Sequence, residues 1–481
     1  MVYSRNTLIR STIWKLFERF SSQVVSFIVS IILSRILMPE EYGVIAILLI
    51  FIYLANVIID GGLNTALIQK KNTDNIDFST ILYVSLILAT ILYLILFFLS
   101  PIIANFYENS RLVLLLRVLS INLFFNSFNA VQRAYVSKNM MFSKLFYSSF
   151  GAVILSGVCG IILAYKGCGA WSLVGQQLVS QIVTCLIMWY TIKWRPIAVF
   201  SFERFKGLFN YGWKIFVTNF VIAIYENIRG LIIGKMYSPI SLAYFERGKS
   251  LPSLFMDNIN VSIRTVLFPA LSSEQDNKLR IKQMMRRSMN LNCYITFPLL
   301  IGLFVVADSF VAVLLTEKWM SAVPFIRIFC IALMLLPLQN SNIEAIKALG
   351  YSGIILKLEL IKKILEAVIL VISFTINVYA VAWGIVVYNV ICIFINLYPN
   401  RKLLNCNIFE QFIDILPIFI TSVLMGGVTW SVYWYGLSDL STLIIQVCIG
   451  FTSYILFSKL FKIDSFIYLL DIFKEFRRNK I

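Results

Sequence analysis

The chain has 481 residues, of which 59% are hydrophobic and only 14% are charged, and its mean hydropathy is +0.83. Soluble domains carry about 25% charged residues, so this composition excludes a water-soluble globular protein. The eight cysteines have no metal-ligand spacing and histidine is absent, which argues against a zinc or haem site; we expect no bound metal and no cofactor.

Apolar segments of about 20 residues recur along the whole chain, each long enough to cross a hydrocarbon core about 30 Å thick. The first continues past Phe27 to Leu37, which is too long for the apolar region of a signal peptide and predicts a retained span. The pattern predicts an all-α membrane protein with about fourteen transmembrane helices. Their centres are predicted at Val25, Leu49, Leu92, Leu119, Ile154, Val179, Val221, Phe255, Leu300, Leu333, Ile369, Val387, Val423 and Ile449.

The charges of the loops alternate along the chain. One set of loops is rich in basic residues, as in the segment from Lys278 to Arg287, whereas the opposite set is nearly bare. By the positive-inside rule the basic set is cytoplasmic, so both termini are predicted to be cytoplasmic. This topology signal explains most of the net charge of +18, and we expect no nucleic-acid partner.

The two halves of the sequence resemble each other. A cation stands four residues before a proline in Arg35-Ile-Leu-Met-Pro39 and again in Lys235-Met-Tyr-Ser-Pro239. We therefore predict two parallel six-helix lobes, the arrangement of a rocking transporter. The predicted divisions are 1–200 for spans 1–6, 201–402 for spans 7–12, 403–462 for an extra helix pair, and 463–481 for an amphipathic tail on the inner leaflet.

Ionisable side chains inside spans are costly in a bilayer and indicate function by default. Cations outnumber acids there, as expected if an anionic group such as a pyrophosphate crosses the membrane, because arginine binds phosphate bidentately. The candidate cavity cations are Arg19, Arg117, Arg229, Lys214 and Arg264. The candidate coupling or ion-pair acids are Glu18, Asp60 and Glu226. The alternative interpretation is that long basic side chains, including those of Lys214 and Arg133, extend to lipid headgroups at the span ends.

The segment Ala243-Tyr-Phe-Glu-Arg-Gly-Lys-Ser250 is a near match to a phosphate-binding loop. No strand pattern precedes it and no Walker B acid is visible, so the match is interpreted as accidental. We expect no nucleotide, and transport must then draw on an ion gradient or on consumption of the substrate.

Several segments resemble the polysaccharide transporter family of the MOP superfamily, in the branch of Wzx-like and teichuronic-acid-type exporters. The first block comprises Ser34-Arg-Ile-Leu-Met-Pro-Glu-Glu-Tyr-Gly43, Leu54-Ala-Asn-Val-Ile-Ile-Asp-Gly-Gly-Leu63 and Ala66-Leu-Ile-Gln-Lys70. Similar segments follow at Leu242–Gly248, Leu267–Leu271 and Ala345–Gly350. The last two spans carry no comparable signature.

The resemblance implies two six-helix lobes around a central V-shaped cavity, with two extra helices, in a bacterial inner membrane. It implies a flippase that carries an undecaprenyl-pyrophosphate-linked oligosaccharide from the cytoplasmic to the outer leaflet, coupled to H⁺ or Na⁺. The implied partners are membrane lipid and a polysaccharide polymerase. Cavity arginines on the first and on the seventh or eighth helices matter in the superfamily, and Arg19 and Arg229 lie on comparable helices.

Two alternatives remain open from the sequence. A multidrug exporter of the same superfamily would need an acidic cavity for cationic drugs, and the excess of cations inside the spans argues against it. A membrane glycosyltransferase or polymerase would need catalytic acids and a sizeable outward loop, whereas every predicted outward loop is short. A non-enzymatic flippase is therefore the favoured interpretation.

Overall fold

The computed structural model describes residues 5–478, with the side chains of 5–13, 16, 261, 262, 264–266, 472, 473 and 476–478 left undescribed. Within that range the regular structure is helical and contains no strand. The chain forms two compact units, the first ending at Ala243 and the second beginning at Tyr244.

Nine helices lie in the described part of the first unit, from residue 5 onward. They are α1 (Arg5–Ile36), α2 (Pro39–Asp60), α3 (Leu63–Gln69), α4 (Asn75–Phe106), α5 (Arg111–Leu119), α6 (Asn122–Lys138), α7 (Phe142–Tyr165), α8 (Ala170–Thr191) and α9 (Phe202–Met236). Helix α10 (Pro239–Ser272) begins in the last residues of this unit and continues into the second.

Up to residue 478, where the description ends, the second unit contains the rest of α10 and eight further α-helices, together with two short 3₁₀ turns at Glu317–Ala322 and Ser431–Tyr435. The helices are α11 (Lys278–Leu314), α12 (Val323–Met334), α13 (Leu336–Ala348), α14 (Ser352–Phe374), α15 (Val378–Leu403), α16 (Ile408–Trp430), α17 (Asp439–Leu460) and α18 (Asp464–Arg478).

Twelve helical segments in the described part of the chain are long and apolar enough to cross a membrane. All fourteen predicted span centres fall inside helices, and two of the predicted spans, α10 and α14, are not among the twelve. Both are long, at 34 and 23 residues, but each contains five charged residues. The predicted all-α membrane architecture is confirmed; twelve spans meet this criterion in the described residues, and the exact number of fourteen stays a prediction.

The helix ends follow from local chemistry. Asp74 caps α4 by accepting a hydrogen bond from the Asp77 backbone N–H at 3.0 Å, and the Asp77 carboxylate accepts one from the Asp74 backbone N–H at 3.2 Å, which completes a capping box. Burial opposes ionisation of Asp74, but that bond and the Arg204 guanidinium at 2.7 Å outweigh it and hold the pKa of Asp74 below its ordinary value. The start of α9 is thereby fixed to the start of α4.

The sequence repeat assigns α9 to the second half, yet in the structure it packs against α2 and α3 of the first unit. The linker before it is also fixed to α4, because the Ser79 and Thr80 hydroxyls accept hydrogen bonds from the backbone N–H groups of Ile197 and Ser201. The predicted divisions 1–200, 201–402 and 403–462 rest on the repeat and stay a prediction.

Each unit has its own apolar core, and its outer surface is apolar as well. Leu33, Leu48 and Leu116 are almost fully buried in the first unit, as are Met289 and Cys293 in the second. Large exposed hydrophobic side chains cover the long helices, as expected for surfaces that face lipid chains instead of water.

Candidate functional site

A polar cavity of about 550 Å³ lies within the first unit, between α2, α3, α6 and α9. Its lining holds an acid, Asp60, and a guanidinium, Arg133. Its other polar lining residues are uncharged amides and hydroxyls, namely Tyr53, Asn56, Asn64, Thr65, Asn126, Ser137 and Asn219. A polar cavity formed by membrane helices is the default location for a transported solute or a coupling ion.

Two consecutive glycines shape this cavity. Gly61 ends α2 in the left-handed conformation at φ +49°, and Gly62 at φ +68° begins α3. A Cβ atom on Gly62 would lie 2.3 Å from the carbonyl oxygen of Gly212 on α9, so only glycine allows this approach. The break turns the chain after Asp60 and brings Asn64 back towards it, where the Asn64 amide donates a hydrogen bond to the Asp60 carboxylate.

Asn126 on α6 connects two helices of the cavity and positions the cation between them. Its amide nitrogen donates to the Asn56 side-chain oxygen on α2 at 2.8 Å, and its own oxygen accepts from Arg133 Nη2 at 2.8 Å. The bond orients the guanidinium towards the cavity and uses one of its five N–H donors. Arg133 is exposed, so solutes in the cavity can reach its remaining donors.

The predicted site residues occupy different surroundings. Asp60 lines the cavity. Arg117 on α5 instead contacts α4, where its Nε donates to the Ser100 hydroxyl at 2.9 Å and its guanidinium lies 4.0 Å from the centre of the Phe97 ring. This arrangement matches a packing interaction between neighbouring helices.

The other predicted residues are not among the residues that line this cavity. Arg19 is exposed and Glu18 is half-buried on α1, while Lys214 and Glu226 are exposed on α9. Arg229 lies one turn after Glu226 on α9; it is half-buried and already has an interaction partner within the protein. The Arg264 side chain lies outside the described residues. Contact of these residues with a substrate stays a prediction.

The cavity contains residues that sequence reasoning did not assign to a site. Arg133 was interpreted more readily as a headgroup anchor, because it lies one turn from the end of its span. The amides of Asn56, Asn64 and Asn126 carry no charge and do not stand out in a hydropathy profile. The available signal was the amide-rich face of α6, whose buried members include Asn122, Asn129 and Gln132.

A second cavity of about 570 Å³ lies within the second unit, between α10, α11, α16 and α17. Its walls are mostly apolar, with Pro298, Leu299, Val447 and Phe451 among them. Gln446 is one of its few polar lining residues. Such a groove can hold a hydrocarbon chain and offers little to a sugar.

The helix pair α16 and α17 is firmly attached to the second unit. Arg286 on α11 forms a bidentate ion pair with Asp414 on α16, at 2.6 Å and 2.7 Å, and a further contact with Glu410 at 3.1 Å. Asn342, Asn400 and Gln411 form a fully buried hydrogen-bond network that joins α13, α15 and α16. The two groove walls formed by α11 and α16 are therefore fixed to each other.

A family model described as "Polysaccharide biosynthesis protein" matches residues 32–324, more than half of the chain. The teichuronic acid biosynthesis protein TuaB of Bacillus subtilis (strain 168) is 24% identical over 408 residues, which cover 83% of this chain and 84% of that protein. The lipopolysaccharide biosynthesis protein WzxC of Escherichia coli (strain K12) is 24% identical over 311 residues, covering 64% and 63% of the two chains.

Among solved structures, the lipid II flippase MurJ in an inward closed conformation superimposes with a TM-score of 0.72 at 16% identity. The match covers 95% of this chain and 99% of that one. At this identity the likeness shows the fold and nothing about the substrate. The fold expected from the sequence is thereby confirmed.

Proposed function

We propose, from the premise that the chain belongs to the polysaccharide biosynthesis protein family, that it is a flippase for a lipid-linked oligosaccharide. It moves an undecaprenyl-pyrophosphate-linked oligosaccharide from the cytoplasmic to the outer leaflet of a bacterial inner membrane. The observation that carries the proposal is the Arg133 guanidinium, held by Asn126 in a polar cavity between membrane helices.

The cavity chemistry suits the polar end of such a substrate. A pyrophosphate must leave water to cross a bilayer, and a fixed guanidinium compensates its charge by charge-assisted hydrogen bonds. Asparagine amides both donate and accept, which matches sugar hydroxyls. Asp60 balances the guanidinium while the cavity is empty and is the candidate for binding a coupling cation.

The apolar groove of the second unit suits the other end of the substrate. A polyprenyl chain is insoluble in water but gains no advantage from leaving lipid, so a protein groove need only match its shape and apolarity. The walls contributed by α16 and α17 give the extra helix pair a role in holding part of this chain.

The substrate does not supply the energy for its own transport, so another energy source is needed. We infer an alternating-access cycle driven by an ion gradient, without nucleotide hydrolysis, with both chain termini in the cytoplasm. A polymerase on the outer face would consume the product and pull transport in the same direction. The chain itself acts as a carrier and not as an enzyme.

A leaflet assay tests the proposal. The gene is depleted in its host, and lipid-linked oligosaccharide in intact spheroplasts is probed with an impermeant lectin or glycosidase, before and after permeabilisation. We expect the intermediate to become detectable only after permeabilisation, with loss of surface polymer. Normal polymer together with new drug sensitivity would instead indicate a multidrug exporter, and unpolymerised intermediate on the outside would indicate an enzyme.

A further inference from the structure

Each half of the chain carries an arginine at the place where its third and fourth predicted spans meet. In the first unit, Arg117 on α5 donates from Nε to the carbonyl oxygen of Phe97 on α4 at 3.4 Å, and its Cζ lies 4.0 Å from the centre of that ring. In the second unit, Arg327 on α12 donates from Nε to the carbonyl oxygen of Phe304 on α11 at 3.2 Å, with its Cζ 5.6 Å from the ring centre. The two units therefore repeat the same contact between neighbouring helices.

The two arginines differ in their counter-ion. Arg327 Nη2 forms an ion pair with the carboxylate of Asp308 on α11. Arg117 Nε instead meets the neutral hydroxyl of Ser100 at 2.9 Å, and no carboxylate of a described residue pairs with its guanidinium. Charged side chains inside a membrane span are normally paired, and an unpaired one indicates a function. The first unit therefore keeps a positive charge that the second unit neutralises.

A proline helps to hold Arg117 in place. Pro101 lies inside α4 and has no N–H to donate to Phe97 four residues earlier, so that carbonyl oxygen loses its helical partner. The Ser100 hydroxyl donates to it at 2.7 Å, and Arg117 Nε supplies a second donor. The two Nη groups of Arg117 make no hydrogen bond to a described residue. They form the planar fork that binds two phosphate oxygens at once.

Arg117 lies near one membrane boundary. Six residues, which rise by about 9 Å along a helix, separate it from the start of the apolar segment Arg111–Lys138, at the end that the loop charges predict to be the outer one. Leu114 and Ile121, one turn earlier and one turn later, are 58% and 37% exposed, so a lipid can approach this side of the segment. Arg133 follows about 24 Å further along the same segment, near its other end. The segment thus carries one cation near each boundary.

We propose that Arg117 binds the phosphate group of a membrane lipid in the outer half of the bilayer. Its Nη groups donate charge-assisted hydrogen bonds to two phosphate oxygens, and the ligand neutralises the guanidinium as Asp308 neutralises Arg327. Two sources offer this chemistry. One is the pyrophosphate of the substrate after it has passed Arg133, and this source rests on the proposed function; the other is the phosphodiester of an outer-leaflet phospholipid. We expect the first, because Arg117 and Arg133 belong to the same span.

Ligand-dependent melting temperatures test the site. The full chain is purified in a phosphate-free maltoside detergent and carries Arg133→Ala, so that the cation of the first-unit cavity does not contribute. The probes are inorganic pyrophosphate and a soluble short-chain phosphatidylcholine. The decisive variant is Ser100→Asp, which places beside Arg117 the kind of acid that Arg327 already has. The matched control is Asn105→Asp, which adds the same charge at the exposed outer end of α4.

Pyrophosphate should raise the melting temperature of the parent and of Asn105→Asp. The rise should be lost in Ser100→Asp, because the new carboxylate occupies the guanidinium. The same pattern with the phospholipid alone would assign the site to a phospholipid headgroup. If neither probe distinguishes the two variants, the proposal is overturned. If Ser100→Asp fails to insert, Arg117→Gln replaces it in the same comparison, since it removes the cation.

Export identifies the source of the phosphate in the cell. With Arg133 intact, Ser100→Asp should lower surface polymer by about tenfold or more at matched protein level, whereas Asn105→Asp should not. Full export in Ser100→Asp, together with a loss of the melting shift, would assign the site to phospholipid. The leaflet assay separates this inference from the proposed function. If that assay fails while Ser100→Asp still abolishes the melting shift, the carried substrate is a different one and the phosphate site stands.

Discussion

Arg133 donates a hydrogen bond of 2.8 Å to Asn126, two turns earlier on the same helix α6. The bond holds the guanidinium in the cavity, whereas a free side chain near the end of a span would extend to the headgroups. Since the Asn126 amide also bonds Asn56, the position of the cation depends on contacts between two helices.

The first prediction concerns this cation. Arg133→Ala should lower export by about tenfold or more, the equivalent of about 1.4 kcal/mol in binding, because the anionic group loses its charged partner. Arg133→Lys should recover only part of the activity, since an ammonium cannot form the bidentate contact. Export is measured as surface polymer at matched protein level, with the exposed Arg401→Ala as the control.

Equal export in Arg133→Ala and Arg401→Ala would show that the first-unit cavity does not contact the substrate. The candidate cations Arg19, Arg229, Lys214 and Arg264 would then be tested in the same assay. Asn126→Ala should fall between wild type and Arg133→Ala, since it removes the orienting bond and keeps the charge.

The second prediction concerns Gly62, which lets α9 approach the turn between α2 and α3. Gly62→Ala should lower the stability of the purified protein by about 1–3 kcal/mol, because it combines a positive φ with a Cβ placed against the Gly212 carbonyl. Gly207→Ala on α9 is the control, since no atom lies within 4 Å of the added methyl group. Thermal unfolding in detergent compares the two, and equal melting temperatures would contradict the assigned role.

Much of the fold could be predicted from the sequence, because the hydropathy and the length of a segment decide whether it can cross a lipid bilayer. Leu119 and Leu333, two predicted centres, lie in helices, yet each span is interrupted shortly after, before α6 and before α13. The break before α13 is marked by Pro337 in the first turn of that helix, whereas the break before α6 has no proline or glycine and depends on tertiary packing. The short helix α3 depends likewise on the contact between Gly62 and Gly212.

The candidate site could be predicted only in part. Asp60 was identified because a carboxylate inside an apolar segment stands out. Asn126 is uncharged, and its importance comes from its contacts with Asn56, 70 residues earlier in the sequence, and with Arg133, two turns later on the same helix.

The third prediction concerns orientation, which follows from the loop charges. A Glu108→Cys variant should react with an impermeant thiol reagent in intact cells, and an Arg280→Cys variant should react only after permeabilisation. Both native side chains are well exposed, at 83% and 61%, so access differs by membrane side and not by burial. A parent with Cys448→Ser, the exposed native cysteine, gives the background. The reverse labelling pattern would invert the assigned topology.

The fourth prediction concerns the attachment of the extra helix pair. Arg286 and Asp414 are partly buried, at 30% and 19% exposure, and their bidentate geometry restricts the motion of both side chains. A double-mutant cycle with Arg286→Ala and Asp414→Ala should give a coupling free energy of about 1–3 kcal/mol in reversible unfolding from mixed micelles. The exposed pair Asp471–Lys474, at 62% and 72% exposure, should give about 0.5 kcal/mol or less.

The size of this coupling decides how the apolar groove behaves during transport. A large value means that α16 is held against α11, so the groove keeps its shape and a polyprenyl chain can stay in it while the polar end moves. A value no larger than that of the exposed pair would mean that the buried network of Asn342, Asn400 and Gln411, together with apolar packing, holds α16 without the ion pair. In that case Gln411→Ala should loosen the helix pair and lower export, while Asp414→Ala should leave export unchanged.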